Sequence, residues 1–152
     1  MSGLARDAAK GHWVKEEAAV DSGSVDPVLN KSKFPHLEVH ATPESSRGEA
    51  WTGAGGQKIA KEGQVNLDRV TDGGALKRTK FKVGAVGRTL ISVSRLNENG
   101  YDAQLTRLNP CIVNFTTGER IPLKRSGGMF LLTMWIWVPA SKGENSGFPG
   151  QP

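Results

Sequence analysis

Turn-forming residues constrain this chain most. Its 19 glycines and 8 prolines cut 152 residues into short runs, most of which alternate apolar and polar positions as half-buried strands do. "HWVKEEAAV" reads as an extended segment with Glu16 and Glu17 on a wet face. "DPVLNKSKFPHLEVHATPESSRGEA" holds three prolines and many turn formers, so it predicts a loop with a short strand around "HLEVH". "WTGAGGQKI" predicts a hairpin, with Gly55 and Gly56 free to take the positive φ angles of a tight turn. "GQVNLDRV" and "TKFKVGAV" predict a strand pair joined by "TDGGA".

The period changes once. In "GRTLISVSRLNENG", Leu90, Val93 and Leu96 recur at helical spacing, and Gly100 follows Asn99 where a C-terminal cap belongs. Beyond it, "YDAQLTRL", "CIVNF", "RIPLKR" and "MFLLTMWIWV" predict four more strands. The last run places Trp135 and Trp137 on one face and Ile136 and Val138 on the other, which suits either a central strand or a dimer contact. The expected fold is all-β with one short helix. One domain over 13–139 is expected, after a flexible N-terminal segment (1–12) and before a disordered tail (140–152) that lacks any apolar period.

Composition removes several classes of function. Cys111 is the single cysteine, so neither an intrachain disulfide nor a cysteine-based zinc site is available, and it reads as a small buried hydrophobe. His36 and His40 sit amid Pro35 and Pro43, off any shared helical face, so no metal site is expected. "GAGGQK" lacks the spacing and ending of a phosphate-binding loop, and there is no Gly-x-Ser-x-Gly elbow, so no cofactor is expected. The N-terminus is too charged for a signal peptide, and no run of about 18 apolar residues exists, so a soluble intracellular protein without membrane partners is expected. The "NFT" at Asn114 then reads as a strand end. A net charge of +5 leaves nucleic acid open as a partner, but Lys77, Arg78, Lys80 and Lys82 alternate with Thr79, Phe81 and Val83 as a solvent face would, which disfavours it.

Asp21, Ser22 and Gly23 form an Asp-Ser-Gly at the end of an extended run. Alone, the tripeptide is an ordinary turn. Its setting is more informative: "AVDSGS" is followed by the hairpin "AWTGAGGQKIAKEGQV" and then by "AVGRTLISVSRL". This ordered set resembles the retropepsin-like aspartic proteases of retroviruses and retrotransposons. "LISVSRLNENGYDAQL" and "TGERIPLKRSGGMFLL" are similar to the protease and following segment of Copia-class polyproteins, and the resemblance spans about 13 to 138.

The resemblance implies a closed retropepsin-like β-barrel, active as a homodimer, that hydrolyses peptide bonds of a polyprotein in the cytoplasm or within a virus-like particle. Asp21 would be catalytic, and Ser22 and Gly23 would support its loop. Trp51, Gly55, Gly56 and Ile59 would belong to a substrate-binding flap. Gly87 and Arg88 would pack the helix beneath the catalytic loop, with Arg88 pairing an acid such as Asp26. Two carboxylates sharing one proton are needed to activate water without a metal. The chain has one Asp-Ser/Thr-Gly, because "TDGG" at Asp72 lacks the hydroxyl. A working site therefore needs two chains. Two alternatives stand beside this one: a catalytically degenerate retroelement remnant, and a non-enzymatic β-barrel module that binds nucleic acid.

Overall fold

A computed structural model describes residues 8–53, 55–71 and 76–140. The protein is mainly β. Among the described residues twelve strands form in chain order, β1 (Gly11–Asp21), β2 (Val28–Leu29), β3 (Ala50–Thr52), β4 (Lys58–Ala60), β5 (Gly63–Thr71), β6 (Lys77–Val83), β7 (Leu90–Ser92), β8 (Tyr101–Gln104), β9 (Cys111–Asn114), β10 (Arg120–Pro122), β11 (Lys124–Ser126) and β12 (Met129–Pro139). Two short helices, α1 (Pro43–Ser46) and α2 (Val93–Glu98), complete it.

The main sheet is ordered β1-β7-β2-β6-β5-β12-β11, and β12 also pairs with β1, so the circuit of paired strands returns to its start. β3 and β4 form a separate hairpin, and β8, β9 and β10 a three-stranded sheet. Alternation explains the inward faces. On β5 and β6, Val65, Leu67, Phe81 and Val83 are buried, while Asn66, between the first two, and Lys80, directly before Phe81, are exposed. They meet Leu29, Phe34, Met134 and Ile136 in one core.

β12 is a central strand. β1 fills one edge, with Trp13 opposite Trp137 and Ala19 opposite Leu131, and β11 and β5 take the other over 129–131 and 134–136. Trp13 and Trp137 meet edge to face, their ring centroids 5.3 Å apart. Leu132, Met134 and Ile136 of this strand pack into the chain's own core.

Several expectations need correction. Glu16 is buried rather than wet: it pairs with the Lys33 ammonium and accepts a 2.8 Å hydrogen bond from Thr89 Oγ1, which together offset the cost of dehydrating a carboxylate. The helix begins only at Val93, because 90–92 pair with β1 and β2 as strand β7. Ser92 caps the helix by accepting from Arg95 N–H, and Gly100 ends it at φ +86°. A second helix, α1, occupies the predicted loop, with Pro43 in its first turn and a reciprocal capping box between Thr42 and Ser45. "HLEVH" contributes only a bridge between His40 and Gln64. "RIPLKR" divides into β10 and β11 around buried Leu123.

At the termini, Ala8–Lys10 form a 3-10 turn and β1 starts at Gly11, inside the segment expected to be flexible. Ala140 N–H still bonds Lys10 O at 2.9 Å. Most of "TDGGA" (72–75) and of the tail (141–152) lies outside the described residues. No helix among the described residues is long and apolar enough to cross a membrane.

Candidate active site

β1 delivers Asp21 to the end of the sheet. Buried Ala18, Ala19 and Val20 hold the strand in the core, and parallel pairing with β7 sets Asp21 beside Ser92. The chain then turns back towards β2. Gly23 N–H donates to Asp21 Oδ1 at 2.7 Å, an Asx-type turn that fixes the carboxylate against its own backbone. Asp21 is half-buried, while Ser22 and Gly23 are exposed.

Two contacts tie this turn to α2. Ser92, itself fully buried, donates Oγ to Ser24 O at 2.7 Å while capping the helix. One turn on, the Arg95 guanidinium meets Asp26 Oδ1 at 2.8 Å and Glu98 Oε1 at 3.0 Å. The bond to Asp26 outweighs partial burial and holds the Arg95 guanidinium above its ordinary pKa. The loop is thus held in shape by the helix beneath it.

Arg88 does not take that role. Its guanidinium lies 3.4 Å from Glu17 O, and β7 runs parallel to β1 with Ala19 beside Leu90, so Arg88 sits several residues back along β1 from Asp21. The partner expected for Arg88, Asp26, belongs to Arg95. Gly87 faces open space, since a Cβ there would touch nothing within 4 Å, and no close packing requires a glycine. Gly23 likewise needs no glycine-only backbone: a Cβ would lie 3.4 Å from Asp21 Oδ1, ordinary contact, and its φ is not positive.

The hairpin β3–β4 forms where expected. Trp51 and Ile59 are cross-strand partners, and both lie over Gly84 at the end of β6. A Cβ at Gly84 would come within 2.7 Å of Trp51 Cζ3 and 3.3 Å of Ile59 Cγ2, so the indole sits where a side chain would have been. These two residues therefore seat the base of the hairpin. The Lys61 ammonium lies over the indole, 5.4 Å from the ring centroid. At the tip, Gly56 takes φ +86° and its N–H bonds Gly53 O at 2.9 Å, whereas Gly55 has no positive φ. The hairpin base is also ringed by ion pairs, Glu49 with Arg47 at 2.8 Å and with Lys61 at 3.5 Å, and nearby Glu44 with Lys82 at 3.2 Å.

Cys111 is buried, with Arg120 Nη1 3.2 Å from its sulfur. The residues that sequence reasoning missed are Ser92 and Arg95. A serine directly before a helical run is an N-cap signal, but the helix was read as starting earlier, which placed Ser92 inside it. No family model, curated protein or solved structure matches the chain.

Proposed function

We propose that the chain is an aspartic endopeptidase that acts as a homodimer, with the two Asp21 carboxylates meeting on the two-fold axis. The observation that carries the proposal is the Asp21 turn: a carboxylate oriented by Gly23 N–H, on a loop tied to α2 through Ser92 and Arg95. The closed circuit of paired strands, with a glycine-tipped hairpin seated on its rim at Gly84, is what a retropepsin-like barrel and flap require. Val25, 65% exposed beside the turn, supplies apolar surface for a second copy or a substrate side chain. Ser22, exposed on the same turn, is free to donate across the axis.

In such a dimer the carboxylates share one proton. The ionised one removes a proton from water as the water oxygen attacks the scissile carbonyl carbon. The protonated one donates to the carbonyl oxygen, giving a neutral gem-diol intermediate. Collapse of that intermediate breaks the C–N bond as the amine nitrogen takes up a proton. The hairpin tips exclude bulk water and hold the extended substrate through backbone hydrogen bonds.

The test is cleavage of a peptide library between pH 4 and 7 by the wild type and by Asp21→Asn, with and without a general aspartic-protease inhibitor. Cleavage that the inhibitor blocks and Asp21→Asn lacks supports the reading. Full cleavage by Asp21→Asn refutes it, and a folded dimer that cleaves nothing marks a degenerate remnant.

A further inference from the structure

A groove of about 640 Å³ among the described residues does not include Asp21 in its lining. It lies between β6 and α2, where β2 covers only one end of that edge of β6. β6 pairs with β5 along its whole length, but on its other edge β2 reaches only Lys82 and Val83. Lys82 N–H bonds Pro27 O at 3.0 Å on that edge, while Val83 O is used on the β5 side by Glu62 N–H. Backbone polar groups alternate between the two edges of a strand, so those of Arg78 and Lys80 point the same way as those of Lys82. Among the described residues no strand meets them. The open edge over 77–81 is about 16 Å long at 3.3 Å per residue.

The groove has a distinct chemistry. Its floor is apolar, built from Phe81, Leu96 and Leu132. Its walls are cationic. Arg78, Lys82 and Arg95 are neutralised by Asp68, Glu44 and Asp26. Arg69, Lys77 and Lys80 have no carboxylate partner among the described residues. Arg69 donates to Thr79 Oγ1 at 2.9 Å, and Lys77 to Tyr101 Oη at 2.8 Å, so both cations are positioned by neutral groups on the face of β5 and β6 that carries Phe81, whereas Lys80 lies on the opposite face.

We propose that this groove binds an extended acidic peptide segment, added as a strand to the open edge of β6. The peptide backbone would pair with Arg78 and Lys80, its apolar side chains would cover the floor beside Arg69 and Lys77, and the carboxylates that alternate with them would meet Lys80 on the opposite face of the sheet. Nucleic acid fits less well. The groove offers unpaired backbone donors and acceptors at strand spacing, and its only aromatic ring at the rim, Tyr101, is engaged by Lys77 rather than free to stack on a base. The groove shares Asp26, Ser92 and Arg95 with the supports of the Asp21 turn, but the proposal does not depend on the protease reading, because the peptide would be held by the edge of β6 and by Lys80.

The experiment uses Asp21→Asn protein, which cannot consume the probe, and fluorescence anisotropy of a labelled eight-residue peptide alternating valine and glutamate. Expected are saturable, salt-sensitive binding, none of the lysine counterpart, and a roughly tenfold or greater loss in Lys80→Glu but not in Lys80→Arg. N-methylation of alternate amides in one parity weakens binding by about tenfold, and in the other parity by less than about threefold, because only one set faces β6. Equal effects of the two parities, preferential binding of an oligonucleotide of matched charge, or no peptide binding by folded protein at about 1 mM would each overturn the proposal.

Discussion

Ser92→Ala removes the hydroxyl that joins the Asp21 turn to α2, and its cost follows from two bonds. Oγ accepts from Arg95 N–H at 3.2 Å as the helix cap, and removing such a cap costs about 1 kcal/mol. Oγ also donates to Ser24 O at 2.7 Å, and a partly buried carbonyl left without its donor costs about 1 kcal/mol more. The sum, about 2 kcal/mol, corresponds to a fall in Tm of roughly 6 °C for a chain of this size. Urea unfolding followed by the fluorescence of the four tryptophans measures it. Ser94→Ala is the control, because the exposed Ser94 hydroxyl touches only Ser92 Oγ, at 3.2 Å, and its loss should cost less than about 0.5 kcal/mol. Equal, small losses in the two variants would refute the linchpin role of Ser92 and leave the turn to be held by Asp26 and Arg95 alone.

Lys33→Ala strips the buried Glu16 carboxylate of its cation. It should cost about 2 kcal/mol, discounted from the full buried-pair figure because Lys33 is 54% exposed, and adding Glu16→Gln should recover part of the loss in the same unfolding assay. Gly84→Ala drives a methyl against the Trp51 indole and should destabilise by about 1 to 3 kcal/mol while raising KM more than it lowers kcat, since it loosens the hairpin and not the Asp21 turn. Glu17, Glu44 and Glu49 are all held below the ordinary 4.5, Glu17 and Glu49 chiefly by hydrogen bonds from Lys124 and Arg47, and Glu44 chiefly by a backbone hydrogen bond and then Lys82. A carboxylate with a depressed folded pKa stabilises above its unfolded value and loses that contribution as pH falls through the folded one. Thermal scans should therefore show Tm declining below about pH 4.5, with added salt blunting the effect. A Tm flat from pH 7 to pH 3 would contradict these assignments.

The period-2 runs carried much of the fold, because β5 and β6 each bury one face. Val65, Leu67, Phe81 and Val83 were legible as a pair of inward faces, and the glycine-rich hairpin was legible from its turn residues. What local pattern could not reveal was pairing. Leu90 to Leu96 looks helical by spacing, yet parallel pairing with β1 claims its first residues as strand, and only that register puts Ser92 beside Asp21. Glu16 looked solvent-facing because its partners, Lys33 and Thr89, are distant in sequence. Position in a motif suggests Arg88 as the partner of Asp26, whereas the helix phase brings Arg95 to it. Thr42, Pro43 and Ser45 spell the cap of the short α1, but the three prolines before and within it outweigh one turn of helix in a reading by local pattern.

The central claim is that one site is built from two chains, and subunit mixing tests it most directly. A fixed amount of wild-type protein is equilibrated with a ninefold excess of Asp21→Asn, and cleavage of a peptide substrate is followed. If both Asp21 carboxylates serve one site, nine in ten wild-type chains acquire an inactive partner and the rate falls to about one tenth. An unchanged rate would show that each chain carries its own complete site, and the homodimeric aspartic mechanism would be wrong.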